Sequence, residues 1–299
     1  MEISAHMVKE LREKTGAGMM ECKKALAESK GNIDQAIEYL RKKGLQASAK
    51  KEGRIAADGS IFSLVSPDAK IGVLLELNCE TDFVAKNEDF MALGNELISL
   101  LSLSNLKTIE ELGNQKLKSG KLVTDKINEI VAKIGEKISL RRFEKIVAAS
   151  DEIVGNYIHM GSKIGVLVKM KGTKEYTQVV RDVAMHIAAS VPRYLEKEEI
   201  PASVIASEKE IYREQLKTSG KPEAILEKIL EGKMSKFSTE VCLLDQVFIK
   251  DPTGKKSVSQ ILKETNLGLV IMGFLRYQVG EGIEKKKEDF ASEVAKMVG

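Results

Sequence analysis

The sequence has 299 residues, 43% hydrophobic and 30% charged, with aromatics at only 5% and no Trp, which predicts cores built from aliphatic side chains and Met. Lys and Arg (47) nearly balance Asp and Glu (44), and a net charge of +3 is too small to demand a polyanionic partner. No apolar run approaches the ~18–20 residues of a membrane span, no basic and apolar leader opens the chain, and three distant cysteines (Cys22, Cys79, Cys242) without a C-x-x-C pair suit reduced thiols, so the expectation is a soluble, cytoplasmic, two-domain-sized protein.

Residues 1 to about 45 read as three short helices. Ile3, Met7, Val8 and Leu11 share a face of the first, and Thr15-Gly16-Ala17-Gly18 breaks it. Met19, Cys22 and Leu26 stripe the second, which ends at Gly31. Asn32 with Gln35 forms a capping-box pattern opening a third helix striped by Ile33, Ala36, Ile37 and Leu40. Residues 41–54 are basic, polar and punctuated by Gly44 and Gly53, and are expected to be a linker.

The centre of the chain contains a repeat. Lys70-Ile71-Gly72-Val73-Leu74-Leu75-Glu76-Leu77 returns as Lys163-Ile164-Gly165-Val166-Leu167-Val168-Lys169-Met170, and both runs suit a buried strand. An extended segment precedes each (60–64 and 155–159), a helical pattern follows each (90–101 and 176–189), and Ile138-Ser139-Leu140-Arg141-Arg142-Phe143 resembles Met272-Gly273-Phe274-Leu275-Arg276-Tyr277. Strand, strand, helix, strand twice over predicts two similar α+β subdomains. Residues 201–237 interrupt the second copy as a charged helical hairpin around Ser219-Gly220-Lys221-Pro222, with Val204, Ile205, Ile211 and Tyr212 facing Leu226, Leu230 and Phe237. A short amphipathic helix is expected over 290–298.

Catalytic signals are poor. Gly254-Lys255-Lys256-Ser257 lacks the spacing of a phosphate loop, and Gly16-x-Gly18 lacks the third glycine and preceding strand of a dinucleotide fingerprint. His6, His159 and His186 are too scattered for a zinc site, and no nucleophile motif is present. The expectation is a binding protein with no catalytic residue, no metal site, no cofactor and no nucleotide binding of its own. The informative segment is Asn78-Cys79-Glu80-Thr81-Asp82-Phe83-Val84, where a buried strand turns into a helix beginning near Phe83. Thr81 or Asp82 can cap that helix. Phe83 can pack inward or project.

Leu77-Asn78-Cys79-Glu80-Thr81-Asp82-Phe83-Val84 and Thr15-Gly16-Ala17-Gly18-Met19-Met20 carry a resemblance to the translation elongation factor Ts family, and the order of parts agrees along essentially the whole chain. The resemblance implies an α+β fold with a ubiquitin-associated-like head and linker (1–53), a core N-subdomain (54–150), a core C-subdomain in two parts (151–200 and 238–280) with antiparallel sheets, the inserted hairpin (201–237) and a C-terminal helix module (281–299). It implies a bacterial nucleotide exchange factor whose partner is elongation factor Tu. Thr81, Asp82, Phe83 and Val84 would act near the partner's Mg²⁺, Val8, Leu11, Met19 and Met20 would grip its GTPase domain, and His159 and Met160 would meet another domain. The hairpin is associated in the family with self-association in some members, hence a possible dimer, and with partner contacts in others. Two other readings stay open: nucleic-acid binding through 41–54 and Leu140-Arg141-Arg142, and a helical interaction module on an unrelated core.

Overall fold

Ser4 opens the first helix, α1 (Ala5–Thr15), by accepting the Met7 N–H at 3.3 Å, and Gly16, left-handed at φ 70°, closes it. In this computed structural model, which describes residues 3–217, 222–265 and 269–284, α2 (Met19–Glu28) and α3 (Ile33–Ala49) complete the head. The predicted cap of α3 forms: Asn32 Oδ1 accepts the Gln35 N–H at 3.0 Å. Val8, Leu11, Cys22, Ala25, Leu26 and Ala36 make the head's core.

Residues 41–49, expected as linker, instead continue α3. The reason is tertiary. This half of α3 lies against α7 (Val123–Ile134), where a Cβ at Gly44 would sit 3.4 Å from the Asn128 carbonyl oxygen, and Arg41 Nη2 is 2.9 Å from Asp125 Oδ2. A glycine that reads as a break in sequence is here a point of close approach.

The first repeat runs β1 (Asp58–Val65), β2 (Ile71–Cys79), α4 (Asp82–Ala85), α5 (Glu88–Leu103), α6 (Ile109–Gly113), α7 and β3 (Ile138–Val147). The second runs β4 (Glu152–Ile158), β5 (Ile164–Lys171), α8 (Thr177–Ser190), α9 (Ala202–Lys217), α10 (Glu223–Val241), α11 (Val258–Thr265) and β6 (Val270–Gln278). Each has a three-stranded antiparallel sheet in the same order, β1-β2-β3 and β4-β5-β6. In the second sheet Ile153 faces Met170 and Tyr157 faces Val166.

The duplication extends to the turn before each repeated strand. Ser66 N–H donates to the Ile71 carbonyl and Ala69 N–H to that of Ser66; 93 residues on, His159 N–H donates to the Ile164 carbonyl and Ser162 N–H to that of His159. Ala69 and Ser162 share the left-handed conformation, at φ 57° and 56°. Such a conformation is unusual without glycine, and its recurrence at one offset argues against accidental similarity.

The hairpin forms as α9 and α10, with Val204, Ile205 and Tyr212 packed on Ile200, Phe237 and Val241. Its α10 runs four residues past the expected end, while Ile211, expected in the seam, is exposed. Most of the expected turn at 219–222 and the helix over 290–298 lie outside the described residues.

Within the described residues the chain forms two compact units, 3–62 with 75–144 and 278–284, and 63–74 with 145–277. In the first, α5 buries Phe90, Leu93, Leu97, Ile98 and Leu101 along one stripe. In the second, α8 buries Val180, Val183, Ala184 and Ile187 against Ile153, Val166, Val168 and Met170. The three cysteines are buried as thiols, and burial pushes the Cys242 thiol up to about 11.

Candidate partner-binding corner

Strand β2 is buried along nearly its whole length and delivers the chain to a corner at Glu80 and Thr81. Thr81, extended at φ −128° and ψ 159°, is the N-cap of α4; its hydroxyl oxygen accepts the Val84 N–H at 3.4 Å. That leaves Asp82 free of the capping role. The helix is a single turn, because Asn87 starts α5 afresh by accepting the Asp89 N–H at 2.9 Å. Val84 and Ala85 turn inward and are buried.

Phe83 does not pack inward: it is 81% exposed. Asp82 beside it is half exposed and pairs with Lys86 Nζ at 2.9 Å, a solvated i,i+4 pair contributing about 0.3–0.5 kcal/mol. The corner thus presents a carboxylate and an unburied aromatic ring on one short turn, backed by a buried strand. An exposed Phe gains about 1.5–3 kcal/mol when buried.

The remaining predicted residues separate into core and surface. Val8 and Leu11 lie in the core of the head and shape it, with Leu11 fully buried and Val8 nearly so. Met19 and Met20, on the first turn of α2, are both exposed, at 59% and 74%. His159 and Met160 sit in the β4–β5 turn, with Met160 87% exposed and His159 Nδ1 3.2 Å from the Tyr157 hydroxyl. The structure therefore brings Thr81, Asp82, Phe83 and Val84 together, and sets the methionines of the head and the His159–Met160 turn on other elements.

Residues that sequence reasoning missed hold the corner. Glu136, just after α7, receives the Thr81 N–H on Oε2 at 3.0 Å and the Thr81 hydroxyl on Oε1 at 2.8 Å. Glu80 Oε1 receives the Lys137 N–H at 2.6 Å and approaches Arg54 Nη1 at 3.3 Å. The Glu136–Thr81 and Lys137–Glu80 partners are 55 and 57 residues apart in sequence and Arg54 is 26 from Glu80, and no local pattern announces them.

The two arginines of the alternative basic surface on β3 are occupied internally. Arg141 Nη1 and Arg142 Nε lie 2.8 and 2.7 Å from the two oxygens of Glu76, which is fully buried on β2. In the loop that holds Gly254, the Asp251 carboxylate accepts the N–H groups of Lys255 and Lys256 at 2.8 and 2.9 Å and the Thr253 hydroxyl at 2.6 Å. Those bonds hold its pKa far below the usual carboxylate range and use amides that a phosphate loop would offer to its ligand. Among the described residues no cluster of three His, Cys, Asp or Glu could hold a metal, and no helix is long and apolar enough to cross a membrane.

Comparison with known proteins decides the family. A family model described as elongation factor TS matches residues 80–281. An elongation factor Ts of Clostridium perfringens (strain SM101) is 47% identical over 304 residues, covering 99% of each chain, and one of Halothermothrix orenii (strain H 168) is 49% identical over 302 residues, covering 100% of this chain and 99% of the relative. The chain belongs to the elongation factor Ts family. Its role lies in translation elongation. The family match opens at Glu80, beside the capping threonine, and closes at Glu281, so it takes in the corner and both repeats' later strands.

Proposed function

We propose that this chain is a guanine-nucleotide exchange factor that binds elongation factor Tu and loosens its GDP without covalent chemistry. The observation that carries the reading is the 81% exposure of Phe83 beside Asp82, on a turn whose backbone is anchored on both sides. Pressed between helices of the partner's GTPase domain, the pair would displace groups around the bound Mg²⁺. Magnesium demands near-ideal octahedral oxygen ligation, so a small displacement weakens it and leaves the nucleotide phosphates short of counter-charge. Burying the ring offers about 1.5–3 kcal/mol, or roughly one to two decades of nucleotide weakening at about 1.4 kcal/mol per decade. Met19 and Met20 on the head, and His159 and Met160 on the β4–β5 turn, supply further contacts, with methionine suited to an adaptable surface.

Linkage fixes the cycle. If the chain lowers the partner's affinity for GDP by some factor, GDP lowers the partner's affinity for the chain by the same factor. The nucleotide-free partner is therefore held tightly and released when nucleotide rebinds.

The test is release of a fluorescent GDP analogue from a bacterial elongation factor Tu. Wild-type chain should accelerate release, and Phe83→Ala should reduce that acceleration about tenfold or more. Because Phe83 makes little contact with its own protein, the variant's unfolding free energy should stay within about 0.5 kcal/mol of wild type. Unchanged release with wild-type chain at stoichiometric concentration would remove the function; full activity in the variant would move the mechanism to the other contacts.

A further inference from the structure

The geometry points to Glu136 as the positioning residue of the Phe83 corner, an inference that rests on the exchange reading above and extends it to a group outside the exposed pair. An exposed ring on a one-turn helix is useful as a wedge only if the turn beneath it does not yield. Nothing in α4 itself supplies that stiffness, since four residues close barely one turn of hydrogen bonds. The stiffness comes from across the fold. Gly135, left-handed at φ 90°, ends α7 and turns the next residue back toward β2. Glu136 then takes the Thr81 N–H on one oxygen (3.0 Å) and the Thr81 hydroxyl on the other (2.8 Å).

The hydroxyl bond has a directional effect. A threonine hydroxyl has one proton and two lone pairs. With the proton committed to Glu136, a lone pair is left for the Val84 N–H, 3.4 Å away, which is the cap of α4. Glu136 thereby sets the orientation of the atom that starts the helix carrying Phe83. The clamp is reciprocal, because the Lys137 N–H donates to Glu80 Oε1 at 2.6 Å. Each of two adjoining loops offers a glutamate to the amide that follows the other's glutamate. The Lys137 ammonium, in turn, donates to the carbonyls of Glu52 and Arg54, tying in the segment that leaves α3. A partner pressing on Phe83 would push against this network rather than against a free turn, so less of the ring's binding energy is lost to ordering the corner.

The experiment measures GDP-analogue release from elongation factor Tu against concentration of the full chain, for wild type, Phe83→Ala, Glu136→Ala, Glu136→Gln and the double variant Phe83→Ala/Glu136→Ala, with thermal unfolding as a check on folding. Glu136→Ala should lower the maximal release rate about tenfold while the half-saturating concentration moves less than threefold, because the head and the β4–β5 turn still dock. Glu136→Gln, whose single amide oxygen can accept only one of the two Thr81 protons well, should fall between, and it serves as the readable variant if Glu136→Ala unfolds. The deciding arm is the double variant: Glu136 acting through Phe83 adds less than twofold to the loss already caused by Phe83→Ala. A multiplicative loss in the double variant, a change confined to half-saturation, or wild-type rates in both Glu136 variants would overturn the inference while leaving the exchange reading intact. Failure of wild-type chain to accelerate release at all would overturn both.

Discussion

His186, on α8, has no exposed surface, yet each of its ring nitrogens has a partner. The Ile249 N–H donates to Nδ1 at 3.2 Å, so Nδ1 must be the unprotonated nitrogen and Nε2–H must donate to Gln246 Oε1 at 3.0 Å. Burial holds its pKa below the ordinary value, with the Gln246 bond opposing only in part. In the unfolded chain the ring takes up a proton near pH 6.5. Below that pH the unfolded state binds more protons than the folded one, so stability falls as pH falls. The carboxylates with lowered pKa (Glu10, Glu38, Asp68, Glu152, Asp251) begin to act only at more acidic pH. Urea midpoints should therefore decline from pH 7.5 to pH 5, and His186→Gln should flatten that decline; an unchanged slope would mean that the ring charges within the fold. The structural role of His186 was legible from its place in the apolar stripe of α8. Its partner Gln246, 60 residues on, was not.

At the scale of elements, the two repeats solve one packing problem in opposite senses. In the first, a Cβ on Gly94 of α5 would lie 2.0 Å from the ring of Phe62 on β1, so the strand supplies the knob and the helix the hole. In the second, the residue 93 positions after Phe62 is Gly155 of β4, whose Cβ would lie 2.5 Å from Val180 Cγ1 on α8, so the helix supplies the knob. Gly94→Ala should destabilise by about 1–2 kcal/mol in chemical denaturation, the overpacking cost less what Ala contributes to the helix. Adding Phe62→Leu should recover part of that loss, whereas independent effects would sum. This exchange of sides explains what the sequence concealed. The strand runs after Lys70 and Lys163 match residue by residue and made the duplication readable. The facing positions, Phe62 and Gly155, differ because each is matched to a different helix. Helix α7 is hard to read from sequence although Val123, Ile127, Ile130, Val131 and Ile134 carry a helical stripe, since lysines and acids fill its other face. Residues 41–49 looked like linker because their order depends on α7. The Asp82–Phe83 corner was visible as a motif, but its exposure and its anchoring through Glu136 depend on tertiary structure that one strand-to-helix segment does not encode.

For the molecule as a whole, the fully buried Glu76 is the most consequential charge. Besides Arg141 and Arg142, it accepts the N–H of Gly280 at 2.8 Å, and Arg142 Nη2 reaches Glu281 Oε2 at 3.1 Å. A buried carboxylate is tolerated only when its oxygens are paired and hydrogen-bonded. Glu76→Gln removes the charge while leaving two partly buried guanidinium groups, and should cost about 3 kcal/mol in equilibrium unfolding, with faster proteolytic cleavage near residues 278–284. Loss of less than about 1 kcal/mol would show that the arginines find water instead. The same cluster joins positions 204 residues apart, and beside it a Cβ on Gly280 would lie 2.2 Å from the Ala57 carbonyl oxygen. The stretch from Ala57 to Gly280 is therefore a loop whose mouth is already shut, fastened by charge where a secreted protein would use sulfur. A covalent peptide bridge across that mouth would add little strain, so the core is suited to circular permutation, with new ends opened at an exposed turn such as that of Gly161.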